Sequence, residues 1–492
     1  MPDRETNVRA AVTAALLLAI GATALSVIAA ARNTFTDHRL APLFLLGAPD
    51  LLYPPSPIEG SMLSTIYPPL SVLLYAPALL GGNVWSTFLL AGLMAEIALL
   101  APTLMLLRSV SSGPWILGFG ASIFVLLSNF NPVLATAHLV HADAPALLCS
   151  ALTVYFFARY LNSGRHTPFL VLAAVAASLA PWAKQTAVLV AAVPFLVLLA
   201  VRGWRPLLIY SGSVAILQAL LTTVFVSLYG FSRLKFWIFD LPSRHPWKGT
   251  WSSVLPSANF ALLETNAWCL VLVASVLVYR RPAWSIVKEP WVLCFVTGLM
   301  LWPTSVLGFV KVGGAANTLV YSTYFLHLAT VLLVVSELSM SGWRPLVQVP
   351  SFIALLLLSV PTATNLGKVV LAPRTTFVST NASAYEYSKR HPGVIYFPWH
   401  PLSVYLAERK LYAFELGVAD RQAAGVALTR DDLRRHLPAA MRFVAYTGTV
   451  PESALSLLPE CATRLEYTEL PGWTVLGCGP RVELLEGMRP AK

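Results

Sequence analysis

The sequence predicts an α-helical polytopic membrane protein with about eleven transmembrane helices and a small C-terminal α/β domain outside the membrane. Three observations predict this fold class. Of the 492 residues, 57% are hydrophobic and only 12% are charged, a balance outside the range of soluble globular proteins. Apolar runs close to the roughly 20 residues needed to cross a bilayer recur along residues 1–370. From residue 371 onwards charged residues become frequent and short strand-like segments begin.

The apolar runs define the membrane domain, residues 1–370. The first run is longer than the apolar core of a signal peptide, so we expect it to be retained as a span. The predicted spans lie near residues 10–31, 84–107, 114–130, 144–161, 167–183, 186–201, 206–228, 258–279, 290–310, 318–337 and 349–370.

Basic residues in the loops predict the orientation of the chain. The positive-inside rule is satisfied when the amino terminus is cytoplasmic and the C-terminal domain lies in the periplasm or outside the cell. We therefore expect a multi-pass protein of the plasma (inner) membrane, surrounded by membrane lipids. The net charge of +11 is concentrated in these loops and in the tail, so no nucleic acid is expected as a partner. The cytoplasmic basic residues are Arg4, Arg9, Arg108, Arg159, Arg165, Arg202, Arg205, Arg280, Arg281, Lys288 and Arg344.

The first outer loop, residues 32–83, is long and polar. The segment 67–80 within it is apolar but too short for a full span, and it begins with Pro68 and Pro69. An interfacial helix is predicted there, because prolines are tolerated in a first helical turn. A crossing at this segment would place the basic residues of every later loop outside. The loop carries three carboxylates: Asp37, Asp50 and Glu59.

Among the acids that this orientation brings to the outer face, Asp50 and Glu59 are either ordinary loop charges or metal ligands, and Asp37 and Asp143 are the main candidates. Asp37 follows the first span closely, and its alternative role is that of a solvated loop acid. Asp143 stands beside His141 at the start of an apolar helix. It is interpreted either as a residue that stabilises the helix N-terminus or as a hydrogen-bond partner for a bound substrate. A third alternative is a divalent metal ion held by Asp37 and Asp143.

Cations form the second group of candidates on the outer face. Lys184 lies between two closely spaced apolar runs, where a lysine is costly unless it snorkels to the surface or lines a cavity. Arg244 and His245 lie in a loop that mixes basic and aromatic residues, which suits either phosphate binding or a plain aromatic belt. Lys311 precedes two glycines, whose backbone can approach a phosphate closely.

Two further features stand outside this group. Glu96 lies within the second span without an evident sequence partner, so it is either protonated or paired inside the helix bundle. The C-terminal domain, residues 371–492, carries strand-like segments near 394–397, 443–446 and 473–476. Cys461 and Cys478 bracket a hairpin-like unit, so they are predicted either to form a disulfide in an oxidising compartment or to remain two free buried thiols.

The order of these motifs resembles that of the bacterial GT-C glycosyltransferases, and it is most similar to the branch of the aminoarabinose and protein mannosyl transferases. The similarity covers roughly residues 10 to 340. The motifs are Asp37 in the first outer loop, Tyr67-Pro-Pro-Leu70, a span ending at Arg108, His-Ala-Asp143 entering a span, and Ala183-Lys184-Gln185-Thr186 between spans.

This resemblance implies an enzyme that inverts the sugar it transfers from a polyprenyl-phosphate donor to a glycan, lipid or protein acceptor of the cell envelope. It implies that Asp37 is the general base. The cations of the outer face would stabilise the departing phosphate. Tyr67, His141 and Asp143 would help to bind the donor. Family members often carry two adjacent acids in the first loop, whereas Asp37 stands beside His38, so the role of a metal ion stays open. The alternatives are a transporter or flippase for a lipid-linked saccharide, for which no internal repeat is evident, and a scaffold without activity.

Overall fold

Helices dominate the computed structural model, which describes residues 2–60, 62, 66–164, 166–201, 203–250, 252, 265, 269, 286–340, 345–371, 379–479 and 484–490. The long helices are Pro2–Arg32, Val84–Val110, Pro114–Phe130, Asp143–Asn162, Thr167–Ala183, Ala192–Val201, Trp204–Tyr229, Pro290–Phe309, Val320–Ser339 and Pro345–Leu371. Short α-helices are Thr34–Leu40, Pro49–Leu52, Leu70–Leu73, Phe231–Lys235 and Leu241–Arg244, with 3-10 turns at Ala41–Leu45, Ala76–Leu80, Leu134–His138, Gln185–Ala191 and Ala316–Thr318 and a π-turn at Phe236–Asp240.

Seven helices of the described chain are long and apolar enough to cross a membrane, and three shorter apolar helices accompany them. They coincide, within a few residues, with ten of the predicted spans, because span length and hydropathy are fixed by the bilayer. The remaining predicted span, 258–279, falls on residues of which only 265 and 269 are described. The helical membrane fold class is therefore confirmed, whereas the number of spans stays a prediction.

The chain divides into two compact units. The first unit consists of residues 1–27, 93–223 and 247–374. The second unit consists of residues 28–92, 224–246 and 375–492. A boundary between a membrane domain and an outer domain near residue 370 stays a prediction.

In the first unit, the helix Val320–Ser339 lies at the centre and is buried along nearly all of its length. It packs against Pro114–Phe130, Pro290–Phe309 and Pro345–Leu371. Glycines permit the close approach: a Cβ atom at Gly120 would lie 2.6 Å from the Val335 side chain. Small residues at helix contacts are the usual means of close packing in membranes, where the hydrophobic effect does not drive helix association.

In the second unit, a five-stranded sheet packs against short helices. Its strand order is β1-β2-β4-β3-β5, with β1 and β2 parallel and the other pairs antiparallel. Neighbouring residues of β2 point to opposite faces, so Phe443 and Val444 enter two different apolar cores. The strands are β1 (Ile395–Tyr396), β2 (Phe443–Tyr446), β3 (Cys461–Tyr467), β4 (Thr474–Cys478) and β5 (Met488–Pro490). The helices are Thr380–Arg390, Pro401–Glu408, Glu415–Ala423, Arg430–Arg434 and Glu452–Leu455.

The first outer loop belongs to this second unit and packs on its helices. Met62 is fully buried, and a Cβ atom at Gly417 would lie 1.5 Å from the Met62 carbonyl oxygen. Only glycine therefore allows the helix Glu415–Ala423 to approach the loop so closely. The loop and the sheet are therefore parts of one folded unit.

The predicted interfacial helix at 67–80 is not continuous. It consists of one α-turn, Leu70–Leu73, followed by a 3-10 turn, Ala76–Leu80. Pro77 lies in the first turn of the second piece, where it lacks the N–H that would continue the preceding helix. Pro69 is the N-cap of the first turn and Pro68 precedes it, whereas the sequence predicted both prolines within that turn.

Candidate functional site

A cluster of polar side chains is buried within the first unit. His141, Asp143 and Lys184 are each at most 4% exposed. Asp143 is the first residue of the helix Asp143–Asn162, and Lys184 directly follows the helix Thr167–Ala183. These two consecutive helices pack on each other, and the Lys184–Asp143 contact brings the start of one beside the end of the other.

Asp143 is the centre of the cluster. Lys184 Nζ donates to its Oδ1 at 2.5 Å, and Asn317 Nδ2 donates to its Oδ2 at 3.0 Å. His141 Nδ1 also contacts Oδ2. The Asp143 side chain does not cap its helix, because Ala142 occupies the N-cap position. Asp143 is thus an acid in the first helical turn that forms an ion pair with Lys184 and does not act as a side-chain cap.

Lys184 is held at a break between two apolar helices. Its backbone is extended (φ −154°, ψ 124°), and its N–H donates to the Ala180 carbonyl at 3.0 Å. The ammonium also lies 5.3 Å from the centre of the Tyr321 ring, a favourable position for a cation over an aromatic face. A lysine buried in this way among apolar helices is a functional-site candidate, because burial of a charge is costly unless it is paired.

The Lys311 loop is braced by a second lysine. Lys248 Nζ donates to the carbonyls of Phe309 at 2.8 Å and Gly314 at 2.7 Å, so it fixes the loop that leads to Asn317. Lys311 itself lies 5.6 Å from the centre of the Trp247 ring. Partial burial lowers the pKa of Lys311.

Asp37 is fully buried within the second unit, under the N-terminus of the helix Pro401–Glu408. Its carboxylate accepts hydrogen bonds from Leu402 N at 2.7 Å, Ser403 N at 3.0 Å and Ser403 Oγ at 2.5 Å. Burial raises the pKa of Asp37 from 3.8 to about 7, and this effect outweighs the three hydrogen bonds that act in the opposite direction. The carboxyl group therefore exchanges its proton near neutral pH.

The remaining predicted donor-binding residues also lie in the second unit. The Tyr67 ring faces the Arg39 guanidinium at 5.5 Å. His245 is buried, and its Nε2 donates to the Asp420 carbonyl at 3.1 Å. Arg244 is exposed and lies over the Phe236 ring at 5.7 Å.

Asp420 and Arg421, a pair of charged residues in the second unit, were not identified as candidates from the sequence. Burial raises the pKa of Asp420, and the nearby charges of Arg39, His245 and Arg421 oppose this shift. Arg421 is buried, and its Nε donates to the Pro57 carbonyl at 2.6 Å. An Asp-Arg pair on a short amphipathic helix is normally predicted to face solvent. The sequence therefore carries no signal that Arg421 is buried.

Glu96, which had no evident partner, pairs with His138 within the first unit. His138 Nδ1 lies 2.6 Å from Glu96 Oε1, and both side chains are buried. Pairing within the bundle is therefore the alternative that the structure supports for Glu96.

Carboxylates that could hold a divalent ion are engaged by protein donors. Among the described residues, no group of three or more His, Cys, Asp or Glu side chains is arranged as a metal site. Asp37 and Asp143 belong to different units, and each accepts three hydrogen bonds within its own unit. These donor sets do not suit a cation.

The fold, with its apolar helices and its small C-terminal sheet, is that of a polytopic membrane protein, and its likeness to solved glycosyltransferase structures concerns the fold alone. Among solved structures, the chain is similar to the arabinofuranosyltransferase AftD from Mycobacteria, with a TM-score of 0.50 and 14% sequence identity. The match covers 95% of this chain and 40% of the AftD chain. The chain thus spans about two fifths of the length of AftD.

Two other solved structures are similar at lower TM-scores. ArnT from Cupriavidus metallidurans bound to undecaprenyl phosphate has a TM-score of 0.46 and 14% identity, over 96% of this chain and 99% of that one. The oligosaccharyltransferase AglB from Archaeoglobus fulgidus, in complex with an inhibitory peptide and a dolichol-phosphate, has a TM-score of 0.41 and 11% identity, over 96% and 75%. No protein-family model and no curated protein sequence matches the chain.

Proposed function

We propose that the chain is an integral membrane glycosyltransferase of the GT-C type, which transfers a sugar from a polyprenyl-phosphate donor to a cell-envelope acceptor. The observation that carries this proposal is the buried ion pair of Lys184 and Asp143, which lies where two apolar helices meet. Charged groups inside a membrane bundle are retained for function more often than for stability, because burying them is costly. The proposed location is the inner membrane, with the transfer on its outer face.

Lys184 is proposed to hold the donor phosphate. Asp143 fixes the ammonium in one position, and His141 and Asn317 fix Asp143 in turn. A phosphate that arrives at this pair therefore meets a positive charge that is already ordered, and it does not have to immobilise a flexible side chain. As the bond between the sugar and the phosphate breaks, the phosphate leaves with an added negative charge that Lys184, and cations such as Arg244 and Lys311, would stabilise.

Asp37 is proposed as the general base. It would accept the proton of the acceptor hydroxyl while that oxygen attacks the anomeric carbon from the side opposite the phosphate, which inverts the sugar. The pKa of about 7 supports this role, because a base is most effective when its pKa lies near the working pH. The carboxylate is engaged by Leu402 and Ser403, so the N-terminus of the helix Pro401–Glu408 has to release it to the acceptor.

The experiment uses the full-length protein in lipid nanodiscs with radiolabelled polyprenyl-phosphate sugars. Lys184→Ala and Arg244→Ala are expected to weaken donor binding about tenfold and to leave acceptor binding less affected, whereas Lys184→Arg keeps the charge and part of the binding. Lys235→Ala is the matched control, because Lys235 lies in the same loop as Arg244 but pairs with Asp240 on the surface. Equal effects on donor and acceptor would remove the phosphate role.

A transporter or flippase is the competing function, and the same preparation tests it. In proteoliposomes, an enzyme releases polyprenyl phosphate and glycosylated acceptor, whereas a flippase moves the intact lipid-linked saccharide across the bilayer. Movement of uncleaved donor without any product would replace the enzyme assignment by the transporter.

Asp37→Asn and Ser403→Ala separate catalysis by Asp37 from its structural contacts. As general base, Asp37 is essential, so Asp37→Asn abolishes transfer while the protein stays folded. Ser403→Ala removes one of the three hydrogen bonds and keeps the base, so transfer is retained. Retained transfer in Asp37→Asn, or equal losses of activity and stability in both variants, would assign Asp37 to structure alone.

A further inference from the structure

A pocket of about 330 Å³ opens on the second unit, beside the helix that carries Asp37. This volume is at the lower end of the roughly 300–1,000 Å³ typical of small-molecule sites. The pocket lies between the helix Thr34–Leu40 and the ends of β1 and β2. It is lined by Thr34, Phe35, His38, Trp399, Thr447, Gly448 and Thr449.

The aromatic part of the lining is rigid. The His38 ring stacks on Phe414 with centres 5.8 Å apart, and it lies 6.1 Å from the Trp399 ring. Trp399 Nε1 donates to the Thr449 carbonyl at 3.1 Å, which fixes the orientation of the indole. Phe35 contacts His38 edge to face at 5.0 Å. The aromatic faces are therefore held in place before any ligand arrives, which lowers the entropic cost of binding.

The polar part of the lining consists of hydroxyl groups. Thr34, Thr447 and Thr449 each carry one hydroxyl, which can both donate and accept hydrogen bonds, and the Thr34 hydroxyl lies 3.2 Å from the Thr380 hydroxyl. Gly448 has a positive φ of 71°, a conformation that glycine adopts readily, and it turns the chain between the two threonines. The pocket thus combines flat aromatic faces with neutral groups that bond to hydroxyls.

This combination matches the chemistry of a neutral sugar. A pyranose or furanose ring presents C–H groups on a face, which pack on aromatic rings, and hydroxyls at its edge, which bond to threonine side chains. A phosphate is a poorer match, because the described residues that line the pocket include neither lysine nor arginine. A lipid chain is a poorer match as well, since three of the seven lining residues carry hydroxyls.

We propose that this pocket binds a neutral sugar unit of the acceptor, so that the acceptor is a glycan. The assignment rests on the glycosyl transfer proposed above. Phe35 and His38 lie on either side of Asp37 in the helix Thr34–Leu40. A sugar in the pocket would therefore bring acceptor hydroxyls close to the segment that carries the proposed base.

The test is a glycan array printed with neutral, acidic and phosphorylated oligosaccharides and probed with the full-length protein in detergent. Neutral oligosaccharides are expected to be retained, and Trp399→Ala is expected to weaken their binding about tenfold or more. Trp399→Phe keeps an aromatic face and is expected to restore most of the binding. Thr449→Val removes a hydroxyl at constant volume, and Thr449→Ser restores it.

Trp204→Ala is the matched control, because Trp204 is 65% exposed and belongs to the first unit. Retention of phosphorylated or acidic glycans alone, or equal retention by the wild type and Trp399→Ala, would overturn the pocket assignment.

Hydrolysis of the polyprenyl-phosphate donor with water as acceptor is measured in parallel. Donor turnover that persists in Trp399→Ala, without any change in neutral-glycan binding, refutes the pocket and leaves the glycosyltransferase intact. Absence of donor turnover in the wild type, both with water and with the retained neutral glycans as acceptors, refutes the enzyme.

Discussion

At the residue scale, the buried pair of Lys184 and Asp143 is a cost to stability that the fold tolerates. Removing two charges from water costs several kcal/mol per ion, and their mutual attraction repays this only with good geometry and further hydrogen bonds. Asn317 and His141 supply those further bonds to Asp143. The arrangement therefore depends on every member, and its energetics can be separated from its function by a double-mutant cycle.

Lys184→Met is expected to destabilise the protein by about 3–5 kcal/mol, because it leaves the Asp143 carboxylate buried without its cation. Adding Asp143→Asn removes that charge while it preserves the shape, so the double variant is expected to recover most of the stability. Thermal unfolding of the four proteins in one detergent measures the coupling. If the pair serves donor binding, the double variant recovers stability and remains inactive; recovery of both would make the pair purely structural.

Asp37 predicts a pH dependence of stability. Its pKa rises from 3.8 in its ordinary state to about 7 in the folded protein. Between about pH 4 and pH 7 the folded protein holds a proton that the unfolded chain has lost, so the free energy of unfolding falls as the pH rises, by up to about 1.4 kcal/mol per pH unit. Asp37→Asn is neutral throughout and should flatten this slope in thermal unfolding. Parallel slopes for the wild type and the variant would contradict the raised pKa.

The candidate residues could be found from the sequence, but their partners could not. Asp143 and Lys184 stand out because charges are rare in apolar segments. Their contact joins residues 41 positions apart, and the Asp37 contact with Ser403 spans 366 positions. Such pairings depend on how helices and units pack, which local patterns do not specify. The sequence therefore identified Asp37 as an acid of the first outer loop, but it did not reveal that the side chain is buried.

At the element scale, the spans were predicted well because the bilayer fixes their length. The strands were predicted because they are short runs rich in β-branched and aromatic residues, bordered by turn residues. The interfacial helix at 67–80 was predicted wrongly as one piece. Pro68 and Pro69 precede the first helical turn, although they were predicted to lie within it, and Pro77 in the middle prevents a continuous helix. The effect of proline on helices was thus considered at the start of the segment and not in its interior.

The hairpin of β3 and β4 carries the prediction that belongs to this scale. Cys461 and Cys478 are paired across it and their sulfur atoms are bonded. A disulfide that closes a loop of this length is expected to stabilise the folded domain by about 3 kcal/mol. Cys461→Ser with Cys478→Ser should lower the melting temperature, and a reducing agent should do the same to the wild type alone. Two alkylatable thiols at these positions in non-reduced protein would refute the bond.

At the scale of the whole molecule, the second unit combines three segments that are far apart in the sequence. The first outer loop, the short loop 230–246 and the C-terminal sheet fold together, so we expect these segments to share one side of the membrane. The sequence supported this only indirectly, through the positive-inside rule. In the first unit, the helix Asp143–Asn162 has 20 residues, and at 1.5 Å per residue it spans about 30 Å, the thickness of a bilayer core. Its two ends are therefore expected to lie on opposite sides.

This orientation predicts the labelling of single cysteines introduced into a variant that lacks the free thiols Cys149, Cys269 and Cys294. Ala315→Cys lies in the exposed loop before Asn317, and Asp431→Cys lies on the surface of the second unit. Both should react with a membrane-impermeant maleimide in intact spheroplasts, because the positive-inside rule places both loops outside. His166→Cys, exposed just beyond the other end of the helix Asp143–Asn162, should react only after permeabilisation. If Ala315→Cys and Asp431→Cys react from different sides, the donor-phosphate residues and Asp37 cannot serve one reaction on the outer face.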